Sequence, residues 1–205
     1  ENAYQRAVTD WARASLSRVH VAIHAHNLTR PLDLSWAHRR HMAANLEQYD
    51  WFLLTEDDTW IPRASMREYV RLAPRLFAQS GHLLAFSRVV NDTVGRHFYN
   101  DIKGPTHPAC VVTSPGLGDF VHCQVTYAGC WSYPRAIMRG FVASYAWRYE
   151  RQQNRANVRE NAAGGWLGAP IVTSASPGLL RVYHLSYCGA LYFPHPKGRW
   201  RRLPE

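Results

Sequence analysis

The stretch from Tyr49 to Pro62, YDWFLLTEDDTWIP, carries an apolar run straight into three consecutive carboxylates, Glu56, Asp57 and Asp58. Neighbouring carboxylates repel, so each makes the others harder to ionise. A divalent cation relieves that repulsion by taking the acids as oxygen ligands, and bulk water relieves it by solvation. The first outcome makes the triplet a metal site; the second makes it an acidic turn at a strand end. The setting favours the metal: an apolar strand precedes the triplet, Pro62 lies four residues beyond Asp58, and a helix follows.

The elements that must position these acids follow from periodicity. Residues 2 to 18 place Ala3, Ala7, Trp11, Ala14 and Leu16 near one helical face, and VHVAIHAH then alternates at strand spacing, with His24 and His26 at its end. Residues 28 to 34 carry Pro31 and suit a loop. Ser35 to Gln48 opens on a capping serine and is rich in helix formers, leading into a buried-type strand over Trp51 to Leu54. A second helix is expected over about residues 64 to 78, and HLLAFSRVV reads as another strand. This alternation signals an α/β fold, a mainly parallel sheet flanked by helices, in which ligands bind beyond the carboxyl ends of the strands, where the triplet lies.

Further along, residues 91 to 120 are rich in Gly, Pro, His and Asn and are expected as long loops lining a site. VHCQVTYAGCWSY has strand alternation and leads through Pro134 into a helix from about Arg135. Residues 155 to 163 read as a helix ended by a flexible Gly164-Gly165 break, and LLRVYHLSY as a late strand ending near His184. There is no internal repeat.

The 205 residues fit a single domain, with 46% hydrophobic content to build its core and a basic tail over residues 195 to 205. No apolar run reaches the roughly 18 to 20 residues needed to cross a bilayer, and the N-terminus lacks signal-peptide character, so any anchor is expected outside this chain. The charge of +9 rests on 24 basic residues, of which only Lys103 and Lys197 are lysines. Arginine binds phosphates bidentately, but codon bias is the better account of most of them, and no nucleic acid is expected as a partner. The four cysteines, Cys110, Cys123, Cys130 and Cys188, lack zinc spacing; their even number permits two disulfides, with buried free thiols an equal alternative. With sequons at Asn27 and Asn91, they lean towards an oxidising lumen.

The order of helix, apolar strand and acids in HMAANLEQYDWFLLTEDD resembles the GT-A class of glycosyltransferases, and its EDD form is similar to that of the N-acetylglucosaminyltransferase I family. The resemblance implies a GT-A domain taking Mn²⁺ or Mg²⁺ and a nucleotide-sugar donor, a UDP-sugar, with a hydroxyl of a glycan or glycoprotein as acceptor, in the Golgi lumen. In that class the acids hold a cation that neutralises charge growing on the leaving diphosphate. Carried over, Asp58 is the direct metal ligand and His184 the late histidine that supplies a further one, while Glu56 and Asp57 orient ribose, water or metal. Glu160 in Arg159-Glu160-Asn161 stands where the class places its catalytic base, with Asn161 departing from the usual acid pair, and Asp119 in GLGDF is the reserve. Gly129 and Trp131 in Tyr127-Ala128-Gly129-Cys130-Trp131 match the strand that borders donor sugar and acceptor. His24 is expected near the nucleotide, and Arg39 within reach of the diphosphate.

The chain opens on a helix that in the class follows the base-binding strand, so either it begins late or its topology is altered. Two other classes of function fit the same residues. One is a non-catalytic carbohydrate-binding domain whose acids hold a structural cation; the other is a metal-dependent phosphoesterase.

Overall fold

The computed structural model describes residues 34–56, 59–91, 97–99, 111–122, 130–148, 162, 164–166, 169–176, 179–184 and 201–202. The helix expected over residues 2 to 18 and the strand after it lie outside these residues, as does nearly all of the helix expected over residues 155 to 163.

Three α-helices are described: α1 (Leu34–Ala44), α2 (Arg63–Ser80) and α3 (Arg135–Ala143), with a short 3₁₀ turn at Tyr145–Trp147. Both α2 and α3 are entered from a proline in extended conformation, Pro62 and Pro134. Proline before the first turn withholds no needed donor. Helix α2 ends where Gly81 takes a left-handed φ of 70° and its N–H returns to the Phe77 carbonyl at 2.8 Å.

Among the described residues eleven strands fall into three sheets. Strand β1 (Trp51–Thr55) pairs antiparallel with β8 (Cys130–Pro134), Phe52 opposite Tyr133. Strands β3 (Leu83–Leu84), β6 (Val111–Ser114), β7 (Gly118–His122) and β9 (Ile171–Ser174) form a sheet in the order β3-β9-β7-β6. Strands β2 (Thr59–Trp60), β4 (Ser87–Asn91), β5 (His97–Tyr99), β10 (Arg181–His184) and β11 (Arg201–Arg202) form the third, in the order β11-β5-β4-β10-β2.

The molecule is therefore α/β, with antiparallel and mixed sheets. Among the described pairings only β3 with β9 and β4 with β10 are parallel, where a mainly parallel sheet was expected. The expected strand HLLAFSRVV is split: β3 and β4 enter different sheets, and the chain beside them, β9 then β10, makes the same change. Ala85 N–H reaches the Val172 carbonyl and Ser87 N–H the Leu180 carbonyl, so the two chains stay hydrogen-bonded across the change. The long loops expected over residues 91 to 120 contain the β6–β7 hairpin, closed by a turn with Gly116 and Gly118 at φ of 71° and 110°.

Two core clusters lie on the two faces of the β3–β9 pair, because successive strand residues point to opposite sides. Leu84 and Val172 face Tyr69, Leu72, Ala73 and Leu76 of α2. Leu83 and Ile171 face Ile137, Met138 and Phe141 of α3, together with Phe52, Trp131 and Tyr133. The buried Tyr69 hydroxyl joins them, its proton shared between the Leu84 carbonyl at 2.7 Å and the Ser132 carbonyl.

Candidate functional site

The acidic triplet stands where the chain leaves one sheet for another. Strand β1 ends at Thr55, and β2 begins at Thr59 in the five-stranded sheet. Asp57 and Asp58 lie outside the described residues, but their flanks are tied together: Thr59 N–H donates to the Glu56 carbonyl at 3.2 Å, and so does the Thr55 hydroxyl, also at 3.2 Å. The approaching strand is less buried than its composition implies. Phe52 is in the core, but Leu53 is 40% exposed, since β1 has β8 as its partner on one side.

The short strand β2 pairs antiparallel with β10, Trp60 opposite Tyr183 and Thr59 opposite His184. Residues directly opposite in such a ladder have Cα atoms roughly 4.5 to 5.5 Å apart. Backbone pairing thus brings His184 to the residue immediately after Asp58, across more than a hundred positions of sequence. Strand β10 is entered from Leu180, which is fully buried and holds a φ of 60°, a costly conformation for leucine. The bond from Ser87 N–H to the Leu180 carbonyl, 2.9 Å, helps hold it there.

Next to this pairing is an aromatic surface that was not singled out from the sequence. Trp60 is 54% exposed and its ring lies 5.2 Å from that of Tyr183, inclined by 32°. Each residue adjoins a predicted site residue: Trp60 is two positions after Asp58 and Tyr183 directly precedes His184. A tryptophan two residues after the acids was the available signal.

Two expected site residues belong to the core instead. Arg39 is 3% exposed; its guanidinium donates to the carbonyls of Ala146 (2.6 Å) and Ala162 (3.1 Å) and lies over the rings of Trp36, Phe141 and Trp147. Burial lowers its pKa to about 10, which leaves it a cation at neutral pH. It knits α1 to the segments after α3 and is not presented to a diphosphate. Trp131 is 5% exposed, stacked on Tyr133 at 5.1 Å and edge-on to Phe141, so its face is not open to a sugar ring.

Asp119 is in strand β7 rather than a loop. It is exposed, and one carboxylate oxygen accepts the Thr113 hydroxyl at 2.7 Å across the hairpin. It belongs to the four-stranded sheet, whereas Thr59 and His184 belong to the five-stranded one. His24, Gly129 and Glu160 lie outside the described residues. Cys130 is buried beside a core cavity with room for about one water, which Tyr69, Phe86 and Tyr133 also line. Among the described residues no three His, Cys, Asp or Glu side chains converge on a metal position, and no helix is long and apolar enough to cross a membrane.

Compared with protein-family models, curated proteins and solved structures, the chain matches none.

Proposed function

We propose that this protein is a metal-dependent glycosyltransferase with a GT-A-type domain, moving a sugar from a nucleotide donor, a UDP-sugar, to a hydroxyl of a glycan or glycoprotein in the secretory lumen. The observation that carries the reading is the β2–β10 register. Two sequence-distant ligand candidates, Asp58 and His184, are each next to or within one paired position, Thr59 opposite His184. Carboxylate oxygen with imidazole nitrogen is a donor set that suits Mn²⁺. The exposed Trp60 and Tyr183 supply a flat apolar surface of the kind on which a sugar ring stacks, beside that pairing.

In this reading Asp58 and His184 hold the ion, and Glu56 and Asp57 orient ribose or water. The ion, when bound, neutralises charge on the departing diphosphate. The acceptor proton must leave on the opposite side of the sugar, and Glu160 takes it, with Asp119 second in line. Asp119 is already engaged by Thr113, which favours Glu160.

The test is calorimetric titration of UDP with and without Mn²⁺. Binding is expected to tighten strongly with the ion, and Asp58→Asn to abolish both that gain and transfer while the domain stays folded. Equal UDP affinity in EDTA and in Mn²⁺ would remove the transferase reading. Glycan binding without nucleotide binding would indicate a carbohydrate-binding domain, and phosphate-ester hydrolysis without need of a sugar nucleotide would indicate a phosphoesterase.

A further inference from the structure

A pair of histidines well outside the acidic turn has no part in the proposed transfer. His82 follows the Gly81 cap of α2 and leads into β3; His122 is the last residue of β7. Strand β9 lies between β3 and β7, with Val172 opposite both Leu84 and His122. His122 is two residues from Phe120 and His82 two from Leu84, so by strand alternation both histidines stand on the α2 face of the sheet. Their ring centroids are 5.2 Å apart, with the rings inclined by 57°.

That separation is what one tetrahedral ion imposes on two imidazoles. With a metal–nitrogen bond near 2.0 to 2.1 Å, each centroid is roughly 3.2 Å from the ion, and a tetrahedral angle then sets the centroids roughly 5 Å apart. A second observation is independent of the first. His82 Nδ1 is buried and has no hydrogen-bond partner among the described residues. A buried imidazole nitrogen left unpaired is costly, and an ion or water is the usual remedy.

We propose that His82 and His122 form a Zn²⁺ site, for which Cu²⁺ serves as a spectroscopic substitute, completed by water and clamping the end of α2 to the end of β7. The site favours nitrogen-seeking ions, in contrast to the oxygen-rich acidic triplet. An ion held by both residues ties two strands that do not pair with each other, and it stabilises the folded chain because the unfolded chain does not hold the two rings together.

Tag-free protein is titrated with Zn²⁺ in a thermal-shift assay and with Cu²⁺ by electron paramagnetic resonance. A roughly tenfold excess of Zn²⁺ over its dissociation constant is expected to raise the midpoint by roughly 3 to 6 °C. The Cu²⁺ spectrum is expected to show two coordinating nitrogens. In an Asp58→Asn background, which removes the proposed donor site and is expected to keep both the Zn²⁺ shift and the nitrogen pair, His82→Gln and His122→Gln should each abolish the shift and leave at most one nitrogen. A Zn²⁺ shift that survives both glutamine variants, a wild-type spectrum with no nitrogen pair, or no ion-dependent shift at all overturns the assignment. If a glutamine variant does not fold, the nitrogen count on wild-type protein still decides.

Discussion

At His38 a half-buried imidazole makes the fold sensitive to acid. It lies on α1 next to Arg39, with its ring 6.0 Å from that of Trp131, and Nε2 is buried without a hydrogen-bond partner among the described residues. Burial, then the positive charge of Arg39, lowers its pKa from 6.5 to about 4. The folded value is below the unfolded one, so between these pH values the unfolded chain binds the extra proton and stability falls as the pH drops. The window runs from about 6.5 down to about 4, and the loss is at most about 3 kcal/mol. The urea midpoint should be lower at pH 5 than at pH 7 in the wild type, and His38→Gln should shrink that difference. An equal pH dependence in the variant would assign the acid response elsewhere. The neighbouring Arg39 shows how little residue type alone reveals. An arginine on a helix after a loop reads as a phosphate ligand, yet beside the local Trp36 ring two aromatic rings and two carbonyls, from positions over a hundred residues away, take it into the core. No local pattern encodes those partners.

At the scale of elements, the sequence was most informative where the pattern was long and locally punctuated. The expected helices near residues 64 to 78 and from Arg135 appear as α2 and α3, because a proline starts each and an apolar face repeats through each. Strands were less legible: Val111-Val112-Thr113-Ser114 and its glycine turn form a hairpin within a stretch whose composition signals loop. The Gly164-Gly165 pair, expected as a flexible break, is instead closely packed. Gly165 holds a φ of 69°, and a Cβ there would meet the Tyr133 hydroxyl oxygen at 2.7 Å and Trp131 at 3.3 Å. The same hydroxyl accepts the Trp166 N–H at 3.2 Å, so the turn is docked onto β8. Gly165→Ala combines an unfavourable backbone with a clash against a buried tyrosine and should cost about 1 to 3 kcal/mol. Chemical denaturation of that variant checks it, and native stability would show that the turn yields.

Over the whole molecule, two apolar clusters share one sheet pair, and the question is whether they melt together. Leu76, fully buried, is on the α2 side, while Phe141, also fully buried, is on the α3 side beside Trp131, Trp147 and Trp166. Leu83 with Ile171 and Leu84 with Val172 stand back to back in the same two strands, and Tyr69 bonds across from α2 to β8 through Ser132. Neither cluster can lose those strands without exposing the other, which is the physical basis of a single cooperative transition. From the sequence each apolar run was visible, but not which face it covered, since that depends on where the chain changes sheets after Leu84. Leu76→Ala removes core volume on the α2 side and should cost about 2 to 5 kcal/mol. Most of the tryptophans packed against the cores report from the other face. In a cooperative molecule the fluorescence midpoint in denaturant falls by the same amount as the far-ultraviolet circular dichroism midpoint. A variant whose dichroism midpoint drops while tryptophan fluorescence keeps its wild-type midpoint would instead mean that the two faces unfold separately.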